Sequence, residues 1–447
     1  MTGPAAPRPV RPFPVTHRSV LRIALPMTLA YLSTPLVGLI ATGVIGQLGN
    51  AAMIGGVALG AVIFDVVFVS FNFLRGATTG FTAQATGAGD RQEEQDMLLG
   101  GLAIAAIAGG LILLLQAPLA TVGLAALGAH GEIAEAGRAY YDARVWSAPF
   151  VFFNFVIYGW VLGRGEALTG LLLQLLLNGF GIALAFLLVL GLDRGVAGAG
   201  WAAVAAEAIA AAAGGLVLLA RTDRRLWRLG ETINPARLRR LISVNRDMMI
   251  RSLALLGGLS FFTRQSAVMG VDILAANTIL LRLYFFAVAF LDGLATAAEQ
   301  LAGRAVGARF RPAFDRVVGL TTLWGFGFAV VVTLALFATG PWVIRHMTPI
   351  PEVRDLALAY LPWAAMVPMV GVVAFQMDGI FIGATWSREM RNMMLLSLVV
   401  YVATWAALSP LFGNHGLWIA LLTFNGARSI AFRWQMRALV PRTFGAR

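Results

Sequence analysis

Residues 71–89 read FNFLRGATTGFTAQATGAG, and residues 291–309 read LDGLATAAEQLAGRAVGAR. A constant shift of 220 positions superimposes the small residues of the two stretches, as when Gly87 falls on Gly307. Other identical pairs under this shift, some in a separate segment, are Leu74 with Leu294, Ala77 with Ala297, Ala85 with Ala305, Ala88 with Ala308, Gly159 with Gly379, and Gly163 with Gly383. One offset across separate segments indicates an internal duplication, and duplicated membrane halves are the plan of many secondary transporters.

The composition is that of a protein with many membrane-spanning segments. Of its 447 residues 59% are hydrophobic and 13% are charged, and the mean hydropathy is +0.78. A soluble protein of this length could not bury so much apolar surface. Several apolar runs exceed the roughly 20 residues that a helix needs to cross a bilayer. Helices are expected because backbone groups in hydrocarbon must be satisfied within their own segment.

We predict an all-α polytopic membrane protein with about twelve transmembrane helices, in two pseudo-symmetric six-helix bundles around a central cleft. The predicted spans are 22–47, 54–88, 97–116, 141–163, 168–190, 197–220, 247–270, 273–307, 313–338, 356–384, 391–409 and 416–438. The predicted domains are a basic tail over 1–20, an N-lobe over 21–221, an interlobe linker over 222–246, a C-lobe over 247–438 and a tail over 439–447.

The positions of the basic residues predict the orientation of the chain. All 34 of them are arginine, and the formal net charge is +12. Those that follow odd-numbered spans are Arg138, Arg144, Arg194, Arg345 and Arg354. Most of the others lie in the tails or after even-numbered spans, so the positive-inside rule places both termini in the cytoplasm, across an inner or plasma membrane. This explains the charge by orientation and by attraction to anionic lipid, and nucleic acid is not an expected partner.

Other features limit the possible chemistry. The chain has no cysteine, which excludes disulfides and thiolate metal sites, and its four histidines fall in tails or predicted loops. The first twenty residues lack the apolar segment of a signal peptide. A polytopic membrane enzyme would need clustered catalytic motifs such as HExxH, which do not occur. We therefore predict no enzyme activity, no cofactor and no metal site.

Ionisable residues inside the predicted spans are candidates for function, because such residues are costly unless they pair or face water. Asp292, Thr296 and Glu299 share one helical face, since seven residues make two turns. The residues Asp65, Asn72 and Thr79 form a second polar stripe at the same spacing, and a shift of 220 takes these positions to 285, 292 and 299.

We expect both stripes to face a shared cleft, where an acid could gain and lose a proton during transport. The alternative is that each stripe joins helices, with its acids paired to Arg264 or Arg282 as counter-charges. Glu207 lies in the alanine-rich sixth span, and we interpret it as structural. Aromatic and polar residues near the acids, among them Tyr284, Phe286 and Gln265, would complete a cleft for lipophilic cations.

At these residues the chain resembles the multidrug and toxic compound extrusion (MATE) family, in its DinF-like branch. The segments that carry the resemblance are RIALPM (22–27), TPLVGLIATGVIGQLG (34–49), FLRGATTGFTAQATGA (73–88), GVAGAGWA (195–202), NRDMMIRSL (245–253), LAANTILLRLYFFAVAFLDGLATAAEQLAGRAVGA (274–308) and DGIFIGATWSREMRN (378–392). The resemblance implies two six-helix bundles, efflux of amphipathic and often cationic compounds, and coupling to inward flow of H⁺ or Na⁺.

The chain departs from this family where coupling is usually placed. Ala41 stands at the usual first-helix aspartate, and Gly181 and Ala185 stand at the usual fifth-helix asparagine and aspartate. Asp378 resembles a tenth-helix aspartate that some members use in cation binding. We therefore assign ion coupling to Asp292, Glu299 and Asp378, with Asp65 as a further carboxyl.

The leading hypothesis is an antiporter that exports drug-like molecules, with H⁺ preferred to Na⁺ as the coupling ion. Its expected partners are the substrate, the ion and membrane lipid, and we expect it to act as a monomer. One alternative is a lipid-linked precursor flippase of the same superfamily, in which Arg75, Arg264 and Arg282 would line a cationic groove. Another is a membrane receptor that has lost coupling with the usual N-lobe acids.

Overall fold

The computed structural model describes residues 10–227 and 235–445, and within these ranges the chain is helical with no strand. The helices of the first half are α1 (His17–Gly46), α2 (Ala51–Phe71), α3 (Phe73–Ala88), α4 (Arg91–Leu114), α5 (Gln116–Ala126), α6 (Gly131–Arg144), α7 (Ala148–Gly163), α8 (Ala167–Ala185) and α9 (Gly195–Arg221). Those of the second half are α10 (Pro235–Val268), α11 (Val271–Gly307), α12 (Arg311–Met347), α13 (Pro351–Gly383), α14 (Ser387–Phe412) and α15 (Asn414–Phe444).

Several of these helices join into longer segments. A 3₁₀ turn (Val145–Ser147) joins α6 to α7, and a π-helical turn (Phe186–Gly191) extends α8. In the described part of the chain, nine segments are long and apolar enough to cross a membrane. Three more helices, α1, α10 and α15, have 30, 34 and 31 residues and at about 1.5 Å per residue are also long enough. The predicted all-α, polytopic fold is confirmed.

The helix ends repeat under the 220-residue shift found in the sequence. Residues with a left-handed backbone occur in pairs at this spacing: Gly89 (φ 64°) with Arg309 (51°), Gly165 (80°) with Thr385 (55°), and Asp193 (48°) with Gly413 (54°). A left-handed residue ends a helix by turning the chain out of its axis. The same breaks in both halves show that the duplication seen in the sequence is a duplication of structure.

Helix packing repeats under the same shift. In each half, two glycines of one helix touch backbone carbonyls of another so closely that a methyl group would come within 3.0 Å of oxygen. These contacts are Gly159 with Arg75, Gly163 with Thr79, Gly379 with Ala295, and Gly383 with Glu299. Helix α7 therefore packs on α3 as α13 packs on α11, which is the small-residue packing expected between membrane helices.

The contacts divide the chain into two compact units. The N-unit comprises Leu29–Ala85 and Asp90–Asn245, and the C-unit comprises Met1–Thr28, Thr86–Gly89 and Arg246–Arg447. The core of the C-unit contains aromatic and aliphatic side chains of α10 to α15. Of the predicted linker and tails, residues 228–234, 1–9 and 446–447 lie outside the described residues.

The boundary of the C-unit differs from the predicted lobes at the start of the chain. Within this unit the amide of Arg11 donates to the carbonyl of Ala308 at 3.0 Å, and Gly293 lies directly against Thr28. The guanidinium of Arg304 stacks 4.4 Å from the ring centre of Phe13. These contacts attach the first residues of the chain to the second half.

Candidate functional site

The strongest polar arrangement in the C-unit is centred on Asp378 of α13. One carboxylate oxygen, Oδ2, accepts a hydrogen bond from Nη2 of Arg251 on α10 and another from Nη2 of Arg428 on α15, each at 2.5 Å. Asp378 is 7% exposed and Arg428 is fully buried. We call these three residues the Asp378 cluster. It joins three helices of the unit by charge-assisted hydrogen bonds, which are the strong ones.

Arg428 is fixed by its surroundings. Its Nη1 donates to Oδ1 of Asn425 at 3.1 Å, and its guanidinium lies 5.4 Å from the ring centre of Phe424 and 5.5 Å from that of Phe375. A desolvated cation over aromatic faces is favourable by about 2 kcal/mol. Arg251 differs because 16% of its side chain is exposed. The cluster thus has one arginine that is fully buried and one whose side chain is partly exposed.

The Asp378 cluster is not satisfied by its own members. Within the described part of the chain, Oδ1 of Asp378, Nε of Arg251 and Nε of Arg428 are buried and have no hydrogen-bond partner. The formal charges of the three residues sum to +1, because two guanidinium groups share one carboxylate. Buried charges and buried polar atoms are costly when unpaired, so these three atoms could each take a further hydrogen-bond partner.

The predicted stripe on α11 lies in the same unit. Thr296 and Glu299 are each 2% exposed, and Asp292 is half-buried. The hydroxyl of Thr296 donates to the carbonyl of Asp292 at 2.9 Å, which places the two residues on one face of the helix. Tyr284, also buried, is within electrostatic range of Asp292 and of both Asp378 and Arg428. The α11 stripe and the Asp378 cluster therefore belong to one polar region.

The other predicted residues of the second half lie outside this region's hydrogen bonds. Phe286 is 50% exposed and Gln265 is half-buried. Arg264 and Arg282, predicted as counter-charges, are exposed and form no ion pair with any residue in 10–227 or 235–445. The cations that hold Asp378 are Arg251 and Arg428 instead.

The first-half stripe is divided between exposed and buried positions. Asp65 and Asn72 are exposed, and Asn72 ends α2 with its Oδ1 accepting from Nε of Arg75 at 3.4 Å. Thr79 is fully buried, and its hydroxyl donates to the carbonyl of Arg75 at 2.9 Å. Its burial follows from the close packing of Gly163 against this turn of α3.

A second polar centre in the N-unit contains Glu207. Oε2 of Glu207 accepts from Nδ2 of Asn154 at 2.7 Å, and the same amide nitrogen donates to the backbone carbonyl of Glu207 at 3.0 Å. Arg144 is within electrostatic range of both Glu207 and Asp65, and it donates to the hydroxyl of Tyr140 at 2.8 Å. The bonds from Asn154 tie α9 to α7, which agrees with a structural role for Glu207.

Gly181 and Ala185 stand where the family usually has an asparagine and an aspartate, and they have no side-chain oxygen that could bind an ion. Ala185 is buried and Gly181 is half-buried on α8. One turn before Gly181, Nδ2 of Asn178 donates to the hydroxyl of Ser33 at 2.7 Å. In the described residues no three His, Cys, Asp or Glu side chains come together as a metal site.

Two of the residues that form the Asp378 cluster were missed in the sequence. Arg428 lies twelve residues inside the predicted span 416–438, and Arg251 lies four residues inside 247–270. The positive-inside pattern assigns both to the cytoplasmic arginines that determine the orientation of the chain in the membrane. Their positions inside apolar spans were the signal that could have found them.

Comparison with known proteins gives a consistent result. The MatE family model matches residues 26–187 and 258–405. DNA damage-inducible protein F of Escherichia coli K12 is 37% identical over 94% of this chain and 92% of its own length. A probable multidrug resistance protein NorM of Caulobacter vibrioides is 26% identical over 96% of this chain and 93% of its own length.

The fold is also known from solved structures. A multidrug resistance MATE family transporter of the MOP superfamily, in an outward-facing conformation, superimposes with a TM-score of 0.88 at 18% identity. The match covers 96% of this chain and 96% of that one. The family resemblance read from the sequence is confirmed.

Proposed function

Because this chain belongs to the MatE family of membrane transporters, we propose that it is a secondary active antiporter that exports amphipathic, cationic small molecules in exchange for H⁺. The observation that carries the proposal is the polar region of the C-unit, where Asp292, Glu299 and Asp378 lie inside apolar helices. Buried acids at membrane depth mark ion and substrate pathways. We further propose that it acts as a monomer in the plasma membrane, with both termini in the cytoplasm.

The contacts of the acids divide their roles. Asp378 already accepts two guanidinium hydrogen bonds, so its charge is compensated without a proton or a metal cation. We therefore propose that Asp292 and Glu299 carry the proton and that Asp378 organises the site. Asp65, exposed on α2, is the remaining acid and contributes less.

The oxygen ligands available favour H⁺ over Na⁺ as the coupling ion. A proton needs a single carboxyl group, whereas a dehydrated metal cation needs several converging oxygens. Ala41, Gly181 and Ala185 offer no side-chain oxygen in the first half. Asp378 is paired with two arginine side chains, which supports a proton at the neighbouring acids over a metal cation at Asp378.

Transport by purified protein in proteoliposomes tests this proposal. With a fluorescent lipophilic cation as substrate, an imposed ΔpH should drive its accumulation, and ΔNa⁺ at constant pH should drive none. Asp292→Asn combined with Glu299→Gln should abolish ΔpH-driven flux. Asp355→Asn is the matched control, because the side chain of Asp355 is 73% exposed. Equal ΔpH-driven flux in the double variant and in the control would contradict the assignment.

One observation supports the flippase alternative. Arg264 and Arg282 are exposed at membrane depth and, among the residues that the structure describes, are not paired to acids. Such arginines suit a pyrophosphate group. A flippase would transport a lipid-linked pyrophosphate in the same proteoliposomes and leave the fluorescent cation untransported.

A further inference from the structure

We propose that the Asp378 cluster is a binding site for an anionic group, a carboxylate or a phosphate, and that Arg251 is the residue that contacts it. The site would hold its ligand whether or not the protein transports cations. It therefore stands apart from the antiport proposed above.

The charges of the cluster favour an anion. Arg251 and Arg428 both bind one oxygen of Asp378, at 2.5 Å each, so two positive groups share a single negative one. While Asp292 and Glu299 of the same polar region are protonated and therefore neutral, this surplus charge attracts an anion more strongly in the low-dielectric interior than it would in water. A second cation at the same place would meet two guanidinium groups.

The unpaired hydrogen-bond donors of the cluster also favour an anion. Among the described residues, Nε of Arg251 and Nε of Arg428 are buried donors with no acceptor. A carboxylate or phosphate oxygen is the acceptor that a guanidinium N–H binds best. Oδ1 of Asp378 also lacks a partner, and it would accept from a hydroxyl or protonated group on the same ligand.

The two arginines have different roles. Arg428 is fully buried and is held by Asn425 and by two aromatic rings. Arg251 has 16% of its side chain exposed, which makes it the member that an incoming group can reach. A charged group that is partly exposed at membrane depth faces water, because contact with hydrocarbon is costly.

Two members of the cluster, Arg251 and Asp378, lie near one end of their spans, while Arg428 lies near the middle of span 416–438. Arg251 lies four residues inside the predicted start of its span, and Asp378 lies five residues before the end of α13 at Gly383. At about 1.5 Å per residue, Arg251 is roughly 6 Å from the predicted start of its span and Asp378 is roughly 8 Å from the end of α13. The adjoining segments follow even-numbered spans, so the predicted topology opens the site toward the cytoplasm and the inner leaflet.

A pair of fluorescent probes matched in their apolar part tests the proposal. The full-length protein in phosphatidylcholine nanodiscs is titrated with pyrenebutyrate and with the trimethylammonium analogue of the same length. Fluorescence polarisation reports binding, and empty nanodiscs give the background. We expect saturable binding of pyrenebutyrate that Arg251→Gln weakens about tenfold, as for the loss of a charge-assisted hydrogen bond. Arg251→Gln should weaken binding of the cationic probe less than it weakens binding of pyrenebutyrate.

Two further variants keep the test decisive. Arg433→Gln removes an exposed arginine from the same helix as Arg428 and should bind both probes as the wild type does. Arg251→Lys keeps the charge that pairs with Asp378 and removes Nε. Its probe binding can therefore be measured even if Arg251→Gln does not fold. It should weaken binding of pyrenebutyrate more than binding of the cation. Equal pyrenebutyrate affinity in wild type and the Arg251 variants, or equal loss of both probes, would overturn the proposal.

Competition identifies the source of the anionic group. If the occupant is a lipid phosphate, adding phosphatidylglycerol to the nanodiscs will displace pyrenebutyrate from the wild type. If it is a soluble anion, inorganic phosphate or acetate will displace the probe and phosphatidylglycerol will not. Failure of cation transport in proteoliposomes would leave these binding results unchanged, so the two proposals fail separately.

Discussion

At the scale of single residues, Asp378 shows how one buried carboxylate can form ion pairs with two arginines. Its carboxylate stabilises the native state because, within residues 10–227 and 235–445, it is the one ion-pair partner of two guanidinium groups that are mostly or fully buried. Removing one member of a buried ion pair costs more than the pair contributes, because a charge is left behind without compensation.

Asp378→Asn should therefore lower the free energy of unfolding by about 3–5 kcal/mol. Arg251→Gln should cost less, because Asp378 keeps Arg428. Adding Arg251→Gln to Asp378→Asn should recover part of the loss, since one uncompensated charge is removed. Tryptophan fluorescence during thermal unfolding in detergent measures all three variants. Asp355→Asn on the surface is the control, and an unchanged unfolding midpoint in Asp378→Asn would refute this account.

The sequence located some members of the polar region and not others. Asp292, Glu299 and Asp378 were found because acids are rare in apolar spans and because seven residues return to one helical face. Arg251 and Arg428 were missed as partners because pairing depends on the fold. They lie 127 and 50 residues from Asp378 along the chain.

At the scale of helices, the repeat is preserved in the contacts that set interhelical distance. A methyl group at Gly163 would lie 2.7 Å from the carbonyl oxygen of Thr79, and one at Gly383 would meet the carbonyl of Glu299. Backbone atoms cannot move aside as a flexible side chain can. The glycines therefore fix how closely α7 approaches α3 and α13 approaches α11.

Gly163→Ala and Gly383→Ala should each destabilise the protein by about 1–3 kcal/mol through overpacking. Gly257→Ala is the matched control, because Gly257 lies inside α10 with no atom within 4 Å of its added methyl. This control should be neutral or stabilising by about 0.5–1 kcal/mol, as for glycine in a helix interior. If the two test variants unfold at the same midpoint as the control, the contacts are not tight.

Helix ends give a second test at this scale. Gly165 and Thr385 occupy equivalent left-handed positions with φ of 80° and 55°. Such a conformation costs a residue with a side chain about 1–2 kcal/mol more than glycine. Thr385→Gly should therefore raise the unfolding midpoint and Gly165→Thr should lower it. A lower midpoint for Thr385→Gly, or a higher one for Gly165→Thr, would contradict the equivalence of the two turns.

At the scale of the whole molecule, the arrangement of spans could be predicted because each apolar run is bounded by charged residues or glycine. Predicted span 273–307 corresponds to α11 at Val271–Gly307, and predicted span 168–190 to the segment Ala167–Gly191. The attachment of residues 10–28 and Thr86–Gly89 to the C-unit could not be predicted. It depends on contacts such as Arg11 with Ala308, between residues that are far apart in the chain.

The arrangement of arginines predicts the orientation of the molecule in the membrane. The chain has no native cysteine, so single engineered cysteines can be labelled in intact cells with a membrane-impermeant maleimide. His130→Cys and Ile350→Cys, which replace exposed residues after odd-numbered spans, should be labelled from outside. Arg225→Cys and Arg442→Cys should be labelled only after the membrane is permeabilised, because positively charged loops stay in the cytoplasm. Labelling of position 225 or 442 in sealed cells would invert the topology. The Asp378 cluster would then open to the outer surface, where neither the inner leaflet nor a cytoplasmic anion could reach it.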